Sequence, residues 1–296
     1  IKKNGFVQIS ECVYDLNKEN EVANENIAFV KSQRSANVLD TIWNFSDKED
    51  QNVERAFIYG DEWMYFKLYT GRVISDVILT ENIQKIVTTL TEQKIIDKWF
   101  FIRYTDPDFH LRVRLHLTDN KNYDMVTKVI HQELKTLVNE GKVWKLDVST
   151  YKREIERYHW KNIDNSENIF SIDSDFTLKL MRYLKEVNES RTWLFILKSI
   201  DDFFNAFQIS LEERHQIIEK MYHSFWVEHG EVKSVRKDIN AKFRKHTEEL
   251  THLFHETPAD LQELYQERLS QLTKIQFVDE VTTNMTDLLW SYIHMH

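Results

Sequence analysis

Residues 97–117 read DKWFFIRYTDPDFHLRVRLHL, and this stretch decides the fold. Trp99–Tyr104 is an aromatic, β-prone run. Asp106-Pro107-Asp108 supplies turn chemistry. Leu111–Leu117 then alternates strictly, with Leu111, Val113, Leu115 and Leu117 on one side and Arg112, Arg114 and His116 on the other. The reading is a β-hairpin that displays basic groups on one face. On spacing alone, such a face is equally a solvated surface or an anion site built from forked guanidinium groups.

Working outward, Trp63–Tyr69 (WMYFKLY) reads as another strand, and Ile74–Leu90 as a helix through Ile78, Ile83, Ile86 and Leu90. An amphipathic helix over Asn122–Val138, ended by Gly141, precedes a further strand over Lys145–Tyr151. From Phe176 onward the periodicity is helical, with stripes at 178–184, 193–207, 217–226, 235–254, after Pro258, and at 281–295. Before residue 60 the pattern is mixed: a strand over Gly5–Tyr14, a polar loop over Asn17–Asn26 and a short helix over Ala36–Phe45. The order predicts an α+β fold, with an antiparallel sheet carrying the basic hairpin in the first half and a mostly helical second half. Residues 1–60 are read as a lead-in segment or the remnant of a preceding domain, and 61–296 as the functional domain.

Composition narrows the function classes. The 296 residues carry 48 acidic and 39 basic side chains, a net charge of −9, which argues against a general nucleic-acid-coating role. No apolar run has the ~18 residues of a membrane span. The single cysteine, Cys12, excludes an internal disulfide framework and fits a reducing cytoplasm. With 5 glycines, no phosphate-binding loop is present. The pairs His252/His255 and His294/His296 lack the accompanying ligands of a zinc site, so no metal is expected. His110, His131, His215, His223 and His229 read as structural. The first residue, Ile1, and an apolar pattern still running at His296 suggest a piece of a longer protein.

Five blocks follow one another in order: GDEWMYFKLYTG (60–71), DKWFFIRYTDPDFHLRVRL (97–115), TYKREIERY (150–158), NIFSIDS (168–174) and SYIHMH (291–296). The series resembles the C-terminal elimination domain of class I lantibiotic dehydratases, the nisin dehydratase type, also called the thiopeptide-type bacteriocin biosynthesis domain. The resemblance covers about residues 60–296.

It implies a lyase. The family glutamylates Ser and Thr of a ribosomal precursor peptide from glutamyl-tRNA in a separate domain. The elimination domain then expels glutamate to leave dehydroalanine or dehydrobutyrine. The implied catalytic residues are Arg112, Arg114, Arg157 and His294, with Arg103 and Glu154 binding substrate. Arginine suits the task because it stays cationic and forks onto carboxylates. Histidine works as acid or base near neutrality. The implied partners are the precursor peptide and a glutamylation domain or subunit; no cofactor is implied, and a homodimer is allowed. Two departures stand out: His159-Trp160 replaces the family's Gly-Gly, and the family's closing pattern stops at His296.

Alternative readings are a pyridine synthase on the same scaffold, joining two dehydroalanines, and a non-catalytic subunit that captures a peptide on an aromatic edge strand. Synthases generally lack the glutamate-handling arginines, which are retained here.

Overall fold

The structure is a computed structural model that describes residues 53–187, 189, 191–230, 233–277 and 285–295. The strand, loop and helix expected before residue 46, together with Cys12, lie outside the described residues. Within them, four strands form one antiparallel sheet: β2 (Trp63–Thr70), β3 (Ile96–Tyr104), β4 (His110–Leu117) and β5 (Val143–Ser149), in the order β3-β4-β2-β5. Two short strands, β1 (Ala56–Phe57) and β6 (Tyr151–Lys152), pair separately. The expected hairpin is present as β3 and β4, joined through a turn with a cis Asp106–Pro107 peptide. The expected strand 145–151 divides instead, ending at Ser149 so that Tyr151 joins the second pair.

The fold is α+β, as the sequence predicts, with the helices concentrated in the second half. Between β2 and β3 the chain runs through α1 (Arg72–Val77), a π-helical segment (Ile78–Ile83) and α2 (Gln84–Glu92). Helix α3 (Tyr123–Asn139) links β4 to β5, and Gly141 at φ +70° turns the chain after it. The rest is helical: α4 (Ile155–Tyr158), α5 (Ile163–Glu186), α6 (Thr192–Ala206), α7 (Leu211–His229), α8 (Lys233–His255), α9 (Ala259–Leu272) and α10 (Met285–Met295).

Alternation gives the sheet two unlike faces. Met64, Phe66, Leu68, Leu111, Val113, Leu115 and Leu117 share one face and pack under Ile78, Leu79, Ile83, Ile86, Val126, Ile130 and Leu134 of the helices. These side chains are almost fully buried, each stabilising the fold by roughly 1.5–3 kcal/mol through removal from water.

The outer edge of β3 is closed by α5. The backbone N–H groups of Trp99 and Phe101 donate to Ser171 Oγ and Ser174 Oγ, both at 3.2 Å, and the Trp99 indole N–H donates to Asp175 at 2.7 Å. The NIFSIDS block thus satisfies a sheet edge that would otherwise offer unpaired donors.

Candidate active site

The opposite face of the sheet carries the polar residues of β2, β4 and β5. Residues directly across adjacent strands point to the same side. In register, Trp63, Tyr65, Lys67 and Tyr69 of β2 lie across from His116, Arg114, Arg112 and His110 of β4. Lys98, Phe100, Ile102 and Tyr104 of β3 flank the same four β4 residues. From β5, Ser149, Asp147 and Lys145 complete the face. The result is a cationic strip between aromatic rings.

Arg114 sits at its closed end. It is 8% exposed, although polar alternation in a strand normally marks a solvated side. The guanidinium carbon lies 4.4 Å from the Tyr65 ring centre, 4.9 Å from Phe100 and 5.0 Å from Tyr151. Rings attract a cation through their quadrupole, but they accept no conventional N–H hydrogen bond. Its Nε and Nη1 have no hydrogen-bond partner among the described residues. Burial pulls the guanidinium pKa downward, since the charged form has lost its water.

Arg112 lies two residues along, half-buried, with its guanidinium carbon 3.4 Å from the Tyr104 ring centre. Its Nε donates to His110 Nε2 at 3.0 Å, while His110 Nδ1 lies 2.8 Å from the Asp108 carbonyl. Only the neutral Nδ1–H tautomer satisfies both contacts: Nδ1–H donates to the carbonyl and Nε2 accepts from Arg112. Burial lowers the His110 pKa, and the positive charges of Arg112 and Lys67 lower it further.

Lys67 stands directly across from Arg112, an arrangement of like charges that costs stability. Desolvation lowers its pKa, and Arg112 adds to the effect. Tyr65 is raised, mainly by burial.

Arg157 sits on the short helix α4, one residue before its end. Its Nη1 pairs with Glu154 Oε2 at 3.2 Å, and both are largely exposed. Glu154 also lies in the electrostatic environment of Arg114, so the second basic block meets the first in space. Helix α10 packs against α4, and the Tyr292 ring stacks on Tyr158 at 5.8 Å and 8°. His294 lies on α10 two residues past Tyr292, which brings its part of the backbone to the α4 end of the site.

Arg103 goes elsewhere. It pairs in register with Leu111 and so belongs to the opposite face, where it meets Asp76 at 2.9 Å and the Met181 sulfur at 3.6 Å. Being beside Arg112 and Arg114 in sequence misleads here, because the parity of the register decides which face a strand residue occupies.

The turn after α4 carries the departure from the family pattern. His159 has φ 63° and ψ 140°, backbone territory that glycine enters freely and other residues enter with strain.

Sequence reasoning missed Lys67, His110 and Tyr151. Lys67 was visible as the polar member of an otherwise apolar, aromatic WMYFKLY. His110 has the same strand parity as Arg112 and Arg114, which was a usable signal. Tyr151 reaches the site through strand pairing that no local pattern encodes. Among the described residues no cluster of three or more His, Cys, Asp or Glu could hold a metal ion, and no helix is long and apolar enough to cross a membrane.

The polar face of the sheet thus gathers arginines among aromatic rings. A model of the lantibiotic biosynthesis dehydratase C-terminal family matches residues 63–296, and the chain belongs to this family.

Among its relatives is the nisin biosynthesis protein NisB of Lactococcus lactis subsp. lactis, 27% identical over 197 residues, covering 63% of this chain and 19% of NisB. The subtilin biosynthesis protein SpaB of Bacillus subtilis is 25% identical over 175 residues, covering 58% of this chain and 17% of SpaB. The chain therefore spans roughly a fifth of the length of the curated relatives it matches. Two solved structures share the fold. The tRNA-dependent lantibiotic dehydratase MibB from Microbispora sp. 107891 has a TM-score of 0.55 and 22% identity, covering 80% of this chain and 26% of MibB. The pyridine synthase TbtD from thiomuracin biosynthesis has a TM-score of 0.56 and 10% identity, covering 80% of this chain and 91% of TbtD.

Proposed function

We propose that this chain is a carbon–oxygen lyase that eliminates glutamate from glutamylated Ser and Thr of a lantibiotic precursor peptide, giving dehydroalanine and dehydrobutyrine. The observation that carries the reading is Arg114: a buried guanidinium, held by rings, with two N–H directions unclaimed among the described residues. Leaving such donors unpaired is costly, and an incoming anion removes that cost. A glutamyl ester brings a free carboxylate and develops further negative charge as it reacts.

In this reading Arg112 and Arg114 take the glutamyl carboxylate and the leaving carboxylate, with Arg157 closing the far side. Glu154 holds Arg157 in place until substrate arrives. His294 serves as acid or base, a role to which an imidazole is suited near neutral pH. Lys67 adds positive potential to the same strip. Arg103 has no part in the pocket, since Asp76 engages it on the other face. The elimination unit spans residues 61–296, works in the cytoplasm, needs no cofactor, and receives a peptide glutamylated by a separate domain or subunit. A homodimer is compatible with this scheme.

The test is direct. The purified chain is incubated with a synthetic glutamyl-Ser peptide, without tRNA, and the products are weighed by mass spectrometry. Release of glutamate with a dehydrated peptide is expected. No release from the folded wild-type chain overturns the proposal. Ring formation between two dehydroalanines would identify a pyridine synthase instead.

A further inference from the structure

A second unclaimed donor lies beside the arginines. Tyr158 is 3% exposed, and its buried hydroxyl proton finds no acceptor among the described residues. Buried hydroxyls are normally bonded, so an orphan needs a reason. Its surroundings are the site itself: Arg157 lies close enough to donate to the hydroxyl oxygen, and Glu154 and Arg114 act on it electrostatically. A guanidinium has no acceptor, so neither arginine can receive the Tyr158 proton.

The ring is fixed on both sides. Tyr292 stacks on it at 5.8 Å, and Phe170 meets it edge-on at 5.2 Å. Phe170 in turn lies 5.2 Å from Phe100, one wall of the Arg114 cage. Tyr158 is therefore held rigidly next to that cage, with a proton to give. Burial pushes its pKa up to about 12, which keeps the proton in place throughout the neutral range.

We propose that the Tyr158 hydroxyl donates a hydrogen bond to the oxyanion that forms during elimination, making Tyr158 a catalytic residue; this rests on the elimination reading above. The step balances as follows. A base removes the α-proton of the glutamylated residue, and the C–H electron pair becomes an enolate whose charge sits on that residue's carbonyl oxygen. The pair then forms the Cα–Cβ double bond, while the Cβ–O pair departs with the glutamate carboxylate. A preorganised donor aimed at the enolate oxygen lowers the barrier because the charge it meets is absent in the ground state. A neutral hydroxyl complements the arginines, which take the carboxylates.

Tyr158→Phe removes the O–H and keeps the ring stacks. Glutamate release from the glutamyl-Ser peptide should fall about 100-fold in kcat, with little change in KM. Thermal stability should change little, because the buried O–H proton that is lost has no acceptor in the resting fold. A Tyr158→Phe enzyme with wild-type kcat overturns the assignment while leaving the elimination reading intact. A variant that melts well below wild type also overturns it, since the hydroxyl would then have a structural partner. A folded wild-type chain that releases no glutamate overturns both.

Discussion

Arg114 and Arg153 are equally buried, at 8% and 7% exposure, yet their surroundings are opposite. Arg153 is saturated: its Nε and Nη2 clasp the two oxygens of Glu167 at 2.8 and 2.7 Å, and Nη2 also meets Asp164 at 2.9 Å. Glu167 is itself fully buried, so the pair is an internal ion pair with every partner in place. Arg114 faces rings and, among the described residues, forms no salt bridge with a carboxylate. Burial of a charge is expensive either way. The chain neutralises that cost internally at Arg153; at Arg114, in the proposed reading, an incoming anion does so.

The contrast breaks most readily from the scaffold side. Glu167→Ala strands the Arg153 charge and should destabilise the fold by about 3–5 kcal/mol, read by chemical denaturation. Comparable stability in this variant would show that Asp164 alone suffices.

Arg114→Ala should behave in reverse. Glutamate release is expected to fall about 10²–10³-fold, while the unfolding midpoint moves little. Loss of stability matching that of Glu167→Ala would erase the distinction between the two arginines.

A smaller effect is expected at the α4 turn. His159→Gly relieves a left-handed backbone and should stabilise by about 1 kcal/mol, measured as a higher midpoint at unchanged slope.

The last contrast is in pH. His110 has a folded pKa below its unfolded value, so its neutral form favours the native state. Stability is fully present above about pH 6.5 and declines as acid protonates the unfolded chain first. His110→Phe should flatten that part of the stability profile relative to wild type, and an unchanged profile would show that His110 carries no such burden.

The sequence made the sheet legible because burial on one side writes itself as alternation: LRVRLHL needs no neighbours to be read. It did not reveal the burial of Arg114, because the cover comes from Tyr151, in a strand that pairs elsewhere, and from Phe100 across the hairpin. Strand parity separated Arg103 from Arg112, a fact available only once the register was known. Arg157 and Glu154 came from family likeness, and Glu154's nearness to Arg114 emerged only in three dimensions. The π-helical segment Ile78–Ile83 was read as ordinary helix, since one extra residue in a turn barely disturbs an apolar stripe.

Tyr151 belongs to both halves of the comparison. Its ring forms a wall under Arg114, and its hydroxyl donates to Glu167 at 2.9 Å. If the proposed lyase reading holds, this one side chain couples turnover to architecture, so deleting it would mimic a chemical defect while loosening a joint. Tyr151→Phe separates the two duties, keeping the wall and cutting the strut; whatever activity it retains measures how far the reacting centre feels the frame behind it.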